Sequence, residues 1–506
     1  MALNAKKALT GFWLPPLAGF IILEAASQAA YPSSWLSRLF FITALAIAAV
    51  LTNRKIENGI YLLIGELIVG GFGYLLFWPV AGGRVSLRLG LFAVIGLIWL
   101  IKQLKTGDFK WLNDRRLWPL LLFFAAAAIA AGRGIFNGYP ASAVFSDFNG
   151  YLYFALIGLF AASRPKSERL APLLLIGSLI LGLKTITMLF LFSHDLAGVG
   201  SSLIYHWIRN TEVGEITLIS APLYRIFFQS QFYNLLALIF GAFILLIRAG
   251  SQNWNNRLIN IVNRSWRWRL ILWLSIWLNF LTVVISQSRS FWVAGLTALT
   301  ILLPVAAIYF KINWQRLAVY FLLIPGFAIT ANLAGQAIIG DFQTDFFTGR
   351  VSGASSSAGI SSRMAELKPA WTLIKQKPLF GQGFGATIRF RSDDPRIKNQ
   401  ANPEGWTDAP ALEWGYLDLA VKAGLIGSTL YLIFLGNLAW RLWLEVKKNN
   451  LAAGGLLIGL LTLMIIHIFT PYLNHPLGLG YILIVFALIK NPVPANRRDG
   501  CKELSR

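Results

Sequence analysis

Leu117-Trp-Pro-Leu-Leu-Leu-Phe-Phe-Ala-Ala-Ala-Ala-Ile-Ala-Ala131 follows Arg115-Arg116 and carries no charge. A helix needs roughly 20 such residues to cross about 30 Å of hydrocarbon, and a basic pair at one end marks the cytoplasmic side. The same pattern recurs at 8–28, 36–51, 59–78, 85–101, 117–135, 150–163, 170–193, 220–247, 269–286, 289–310, 317–335, 412–438, 452–471 and 476–490, about 14 spans in all. The expected fold is an all-α polytopic integral membrane protein.

Composition supports this. Of 506 residues, 56% are hydrophobic and 13% charged, with 19 Trp and 36 Phe. A soluble enzyme, a disordered chain and a disulfide scaffold are excluded. The lone Cys501 can make neither an internal bridge nor a cysteine metal site.

The formal charge of +23 follows from topology rather than from a nucleic-acid partner, because the basic residues form short scattered clusters. With the N-terminus inside, the cytoplasmic connections carry Lys6, Lys7, Arg54, Lys55, Lys102, Lys105, Arg115, Arg116, Arg164, Lys166, Arg257, Arg264, Lys311, Arg316, Lys447 and Lys448. The short opposite loops and their edges hold only Arg38, Arg84, Arg88, Arg133, Arg209 and Arg289. Both termini are therefore expected in the cytoplasm of a multi-pass inner (plasma) membrane protein. Segment 8–28 ends in small residues like a signal peptide, but its length and Pro15-Pro16 favour a retained helix.

The expected organisation is spans 1–11 over residues 1–335, an extracytoplasmic loop over 336–411, spans 12–14 over 412–490 and a cytoplasmic tail over 491–506. A loop of about 76 residues is uncommon unless functional. Its charges, including Arg363, Lys368, Glu366, Asp394 and Asp408, read mostly as a solvated surface. Met364, Leu367, Trp371 and Ile374 recur at helical spacing, predicting an amphipathic surface helix over 361–377, kinked or split at Pro369. Leu379-Phe-Gly-Gln-Gly-Phe-Gly385 then turns through positions that tolerate positive φ. The Ser/Gly stretch 349–362 reads as flexible.

Ionisable residues inside apolar spans face a partner or a cavity. Glu66 is mid-span, with Lys184 as its expected partner, whereas Glu24 and Arg289 read as interfacial. Arg225 opens the eighth predicted span, with Gln229 and Tyr233 on the same face at i+4 and i+8. Arg289 opens another, with Ser286 at i−3. Two arginines at similar depth can fork around a phosphate or pyrophosphate; the alternative is that each snorkels. The four histidines show no ligand spacing, so no metal or other cofactor is expected. His194-Asp195 is a secondary acid–base candidate or a surface pair.

The order of Ser288-Arg289, the long loop, its basic helix, Pro378-Leu-Phe-Gly-Gln-Gly-Phe-Gly385 and Tyr416-Leu-Asp-Leu-Ala-Val-Lys-Ala-Gly-Leu-Ile-Gly427 resembles the O-antigen ligase and Wzy-type polymerase family. The resemblance spans about Arg225 to Asn437. It implies a GT-C-like fold and a metal-independent, inverting transfer of a glycan from undecaprenyl pyrophosphate to an acceptor hydroxyl at the outer leaflet. Arg225, Arg289 and Arg363 match the family's carrier-binding arginines; Gln229 and Tyr416 are secondary candidates, as is His194. Many members have His-Asn-x-x-Leu where this chain reads Glu413-Trp-Gly-Tyr-Leu417, so Glu413 stands in for their His as base. Burial at the membrane edge would raise its pKa. Ser290 stands where relatives often have Gly.

The implied partners are a lipid-linked oligosaccharide donor, a glycan or lipid acceptor and a chain-length regulator. Polymerase and ligase remain alternatives. A flippase of lipid-linked sugars is the rival, although the sequence shows neither a repeat nor the central charged cluster expected of a transporter.

Overall fold

The structure is a computed structural model describing residues 2–80, 83–163, 165–248, 266–309, 314–347, 358–394, 397–448 and 450–489. The predicted tail 491–506, Cys501, Arg164, Arg257, Arg264, Lys311, Arg350 and Arg396 lie outside these residues, as does the Ser/Gly stretch before Ala358.

The chain runs α1 (Ala2–Ala30), α2 (Ser34–Arg54), α3 (Ile56–Val69), β1 (Phe77–Val80), β2 (Gly83–Ser86), α4 (Leu87–Thr106), α5 (Trp118–Phe136), α6 (Ala141–Leu152) and α7 (Ile157–Ser163). It continues with α8 (Ser167–Ser193), α9 (Leu203–Asn210), β3 (Gly214–Ser220), β4 (Leu223–Phe228), α10 (Phe232–Arg248), α11 (Trp266–Ile285), α12 (Arg289–Tyr309) and α13 (Trp314–Ile339). Last come α14 (Ala358–Gln376), β5 (Ile388–Arg391), β6 (Trp406–Ala409), α15 (Gly415–Lys447), α16 (Leu451–Phe469) and α17 (Pro476–Leu488). The strands form three antiparallel hairpins.

Each apolar window of the sequence contains helix. Among the described residues, nine helical segments are long and apolar enough to cross a membrane. Their outward faces carry Leu97, Leu122, Ile129, Leu322 and Leu432, all exposed. So much apolar surface is compatible with lipid and not with water. This is a polytopic membrane protein.

Three windows differ from their expected form. Predicted span 59–78 stops at Val69, where Gly71 packs on the Val213 backbone and donates its N–H to Ser230 Oγ. The chain then enters the β1–β2 hairpin. Segment 150–163 is the second half of a longer element starting at Ala141 and interrupted by a 3₁₀ turn at Tyr153–Leu156. In 220–247, residues 223–228 are a strand paired with β3, and helix begins only at Phe232.

The buried ion pairs also differ from expectation. Glu66 is held by Arg88, with Nε–Oε2 at 2.8 Å, and Arg88 also reaches the Gly71 carbonyl at 2.6 Å. Lys184 pairs with Glu24 at 2.8 Å, tying α1 to α8. Glu24 is thus engaged inside the bundle instead of snorkelling. Burial makes these pairings obligatory, since either charge alone would be uncompensated.

Connections that strict alternation places on one side of a membrane also meet in space. Arg84 of the β1–β2 hairpin pairs with Glu212 at 2.7 Å, and Asn210 donates to the Tyr31 hydroxyl. Gln287 donates to the Phe346 carbonyl, Tyr472 to that of Gln229 and Asn137 to that of Gln382. On the opposite ends, Arg116 reaches the carbonyls of Phe486 and Ile489, while Lys102 reaches that of Thr52.

Candidate active site

Three elements on the hairpin face deliver the arginines. Arg225 sits mid-strand in β4, opposite Thr217, so it shares no helical face with Gln229 and Tyr233. Gln229 lies in the following 3₁₀ turn, and Tyr233 is buried with its hydroxyl on the Leu477 carbonyl. Arg225 Nε donates to the Ser286 carbonyl at 3.1 Å, and its guanidinium stands 3.8 Å from Glu215.

Ser286 is not part of a helix with Arg289. It lies in the tight reversal Ser286-Gln287-Ser288 between α11 and α12, made possible by Gln287 at φ 50° and fixed by the Gln287 side chain on the Phe346 carbonyl. Arg289 is the first residue of α12 and lies within electrostatic reach of Arg363. Arg363, on α14, forms an ion pair with Glu413. Arg225, Arg289, Arg363 and Glu413 are therefore linked in sequence: strand, helical reversal, loop helix and the lead-in to α15.

α14 is one continuous helix through Pro369, which removes a single backbone donor without splitting the helix. Its packed face also differs from the expected stripe. Glu366, Ala370 and Ile374 are buried, whereas Met364 and Trp371 point outward. Beneath it lie Ile388 of the β5–β6 hairpin, Leu412 and Val421. Trp414 donates its indole N–H to the Arg363 carbonyl at 2.9 Å, fixing the turn that carries the arginine.

Glu366 was hidden among the loop acids that read as solvated. It is only 5% exposed, and its Oε2 accepts the Glu413 N–H at 3.4 Å. Burial, with the Glu413 carboxylate acting in the same direction, pushes its pKa up to about 7, against opposing pulls from the Glu413 N–H and Arg363. Glu413 was expected to be the buried acid, but its side chain is 50% exposed.

A second charged cluster supports the first from below. Lys422 Nζ lies 2.7 Å from Asp147 of α6, 3.0 Å from Asp418 and 2.7 Å from the Pro410 carbonyl. Asp147 also accepts the Gly385 N–H, and Asp418 accepts the Leu412 N–H. This central cluster was not expected from the sequence. It pins the turn Pro378–Gly385, in which Gly381, Gly383 and Gly385 all have positive φ as anticipated. The turn threads past Gly424, where α15 breaks with φ 70° and ψ −176°, and the Gln382 and Gly383 N–H groups donate to the Val421 and Lys422 carbonyls. A Cβ at Gly383 would run into the Gly134 backbone.

The other candidates have different surroundings. Tyr416 donates to the Met464 carbonyl and packs edge-on to His467. His194 is exposed at the end of α8, with Nδ1 on the Phe190 carbonyl and Nε2 facing Gly340.

An apolar cavity of about 380 Å³ opens between α10, α11, α12 and α13, lined by Leu238, Trp273, Phe280, Leu296 and Phe327 among others. Val283, Val284, Phe291 and Trp292 form the end that flanks the Ser286–Ser288 reversal. On α12 the lining begins at Phe291, two residues after Arg289.

No curated protein matches the chain. Residues 274–432, which include Arg289, Arg363, Glu366, Glu413 and Lys422, match the family model described as O-Antigen ligase, and over that stretch the chain is similar to that family.

Proposed function

We propose that this protein is a membrane glycan polymerase or ligase of GT-C-like architecture that transfers an oligosaccharide from a polyprenyl pyrophosphate to an acceptor hydroxyl at the outer leaflet. The observation that carries this reading is the juxtaposition of Arg225, Arg289, Arg363 and Glu413 beside an apolar groove. Such a groove suits a polyprenyl chain, and the arginines at its end suit the diphosphate.

In the proposed reaction the acceptor oxygen attacks the anomeric carbon on the face opposite the diphosphate, inverting its configuration. The C–O bond to the leaving group breaks, and the electron pair departs on the diphosphate. Arg225, Arg289 and Arg363 carry that developing charge, so the protein supplies its electrostatic stabilisation from side chains. Glu413 takes the acceptor's proton. Both termini would lie in the cytoplasm, with residues 336–411 outside, and a chain-length regulator would be a further partner.

The test is transfer in proteoliposomes supplied with undecaprenyl-pyrophosphate-linked oligosaccharide and no energy source. Elongated or capped product is expected from the native protein, with Arg289→Ala reduced about 10²–10³-fold at normal abundance. Unchanged product from Arg289→Ala would overturn the assignment, and leaflet transfer without glycosidic bond formation would favour a flippase.

A further inference from the structure

Resting on that function, we propose that Glu366 is the positioning partner of the base. It shares with Glu413 the proton taken from the acceptor, and does so once the donor's diphosphate has drawn Arg363 away from Glu413.

Arg363, Glu366 and Glu413 form a ring closed by one ion pair, one backbone hydrogen bond and a turn of helix. Arg363 and Glu366 stand one helical turn apart on α14. Glu413 closes the ring, its carboxylate on Arg363 and its backbone N–H on Glu366 Oε2. The two acids differ in setting: Glu413 is half-exposed and accessible to an acceptor, whereas Glu366 is buried behind it. Packing of Ala370 and Ile374 of α14 on Leu412 and Val421 keeps them adjacent.

Glu366 is buried beside a second carboxylate, so its own charge is costly, and the guanidinium that faces both acids offsets that cost only in part. The other charged groups bearing on Glu366 are Asp418, itself bound to Lys422, and Arg289 acting through Arg363. While Arg363 is bonded to the Glu413 carboxylate, that oxygen is engaged and not free to meet an acceptor hydroxyl. An arriving diphosphate competes for the same guanidinium with more charge and a matching fork geometry. Glu413 then faces Glu366 with its cation withdrawn, and the pair gains proton affinity. The acceptor O–H bond breaks as the new C–O bond forms, and the proton passes to Glu413 and is shared with Glu366. The diphosphate leaves with the electron pair of the broken anomeric bond. Donor binding thereby switches on the base, which limits proton abstraction when no donor is bound. The buried carboxyl, held near neutrality, matches the operating pH of such a relay.

The experiment is the pH dependence of kcat, from about pH 5.5 to 8.5, for full-length protein in proteoliposomes with undecaprenyl-pyrophosphate-linked oligosaccharide isolated from the source cells. The native rate is expected to climb about tenfold per unit on the acid side and level off above about 7. Glu366→Gln can still accept the Glu413 N–H but cannot hold a proton; it is expected to lose at least tenfold at high pH and to lose the climb, with donor affinity intact. Glu366→Asp keeps a carboxyl and should keep a climb. A Glu366→Gln profile matching the native one overturns the inference alone. Glu366→Asp failing as badly as Glu366→Gln, with donor affinity intact, also overturns it by pointing to shape instead of proton chemistry. Absence of transfer by the native protein overturns the proposed function and this inference with it.

Discussion

Replacing Lys422 by Met removes the one cation shared by two buried carboxylates. Lys422, Asp147 and Asp418 have side chains only 4%, 14% and 9% exposed, at 2.7 and 3.0 Å separation. Removing one partner from a single buried pair costs about 3–5 kcal/mol, because the other charge is stranded. Here two acids are stranded by one substitution, placing Lys422→Met at the upper end of that range, roughly five thousandfold in the folded-to-unfolded ratio. Asp147→Asn should cost far less, about 1 kcal/mol, since the amide oxygen still accepts the Gly385 N–H and Lys422 keeps Asp418 and the Pro410 carbonyl. Combining Asp147→Asn with Lys422→Met should recover about 1–3 kcal/mol relative to Lys422→Met alone, because residues in one network couple. Reversible unfolding in mixed micelles, followed by tryptophan fluorescence, measures all three. Lys422→Met within 1 kcal/mol of the native protein, or a double variant no better than the single one, would refute the reasoning.

Three further outcomes are expected. Arg225→Ala should lower kcat/KM for transfer at least tenfold and Arg225→Lys should restore only part of it, because lysine lacks the fork; full restoration by Lys in the proteoliposome assay would count against a phosphate role. Leu296→Trp, which narrows the apolar groove, should raise KM for a long-chain polyprenyl donor about tenfold while sparing a short-chain analogue; equal effects on both donors would exclude the groove as the chain's seat. Glu366, whose pKa rises from 4.5 to about 7 on folding, holds a proton in the folded state that the unfolded chain has shed. Stability should therefore fall as pH climbs between those values, by at most about 1.4 kcal/mol per unit, and Glu366→Gln should lack that fall; parallel unfolding midpoints from pH 5 to 8 would contradict it.

Helix positions were legible because a membrane demands long uncharged runs, and a run of that length survives any tertiary arrangement. The turn Pro378–Gly385 was legible for a similarly local reason: glycines at alternate positions announce positive φ, which Gly381, Gly383 and Gly385 adopt. Ion-pair partners were not legible. Glu66 selects Arg88, assigned from the sequence to a loop edge, because α3 stops at Val69 and folds back beside α4. The β3–β4 hairpin did leave a signal, the alternation of Glu215-Ile-Thr-Leu and Leu223-Tyr-Arg-Ile around Ala221-Pro222, but the apolar run 226–247 absorbed it into a helix. Glu366 and Asp147 were hidden for different reasons. The burial of Glu366 follows from its helix packing, through Ala370 and Ile374, on Leu412 and Val421 about forty to fifty residues away, while Asp147 lies in a half-helix preceding the recognised apolar window.

The charged cluster at the broken helix bears directly on the rival transporter reading. A transport site must exchange its protein contacts for cargo and release them again. Around Lys422 the contacts are already committed: Nζ meets three oxygen acceptors, both Asp147 oxygens are engaged by Lys422 and Gly385, and both Asp418 oxygens by Lys422, Leu412 and Asn474. Opening this cluster would strand two buried acids and loosen the turn that lies against Gly424. The break in α15 is thus closed by protein, which is how irregular backbone persists at membrane depth. Arg363 and Glu413 differ in kind, being 37% and 50% exposed and bonded to each other in a way a diphosphate can replace. The contact open to exchange is thus the Arg363–Glu413 pair and not the Lys422 cluster, which supports the proposed transfer chemistry over carriage of a lipid through the bundle.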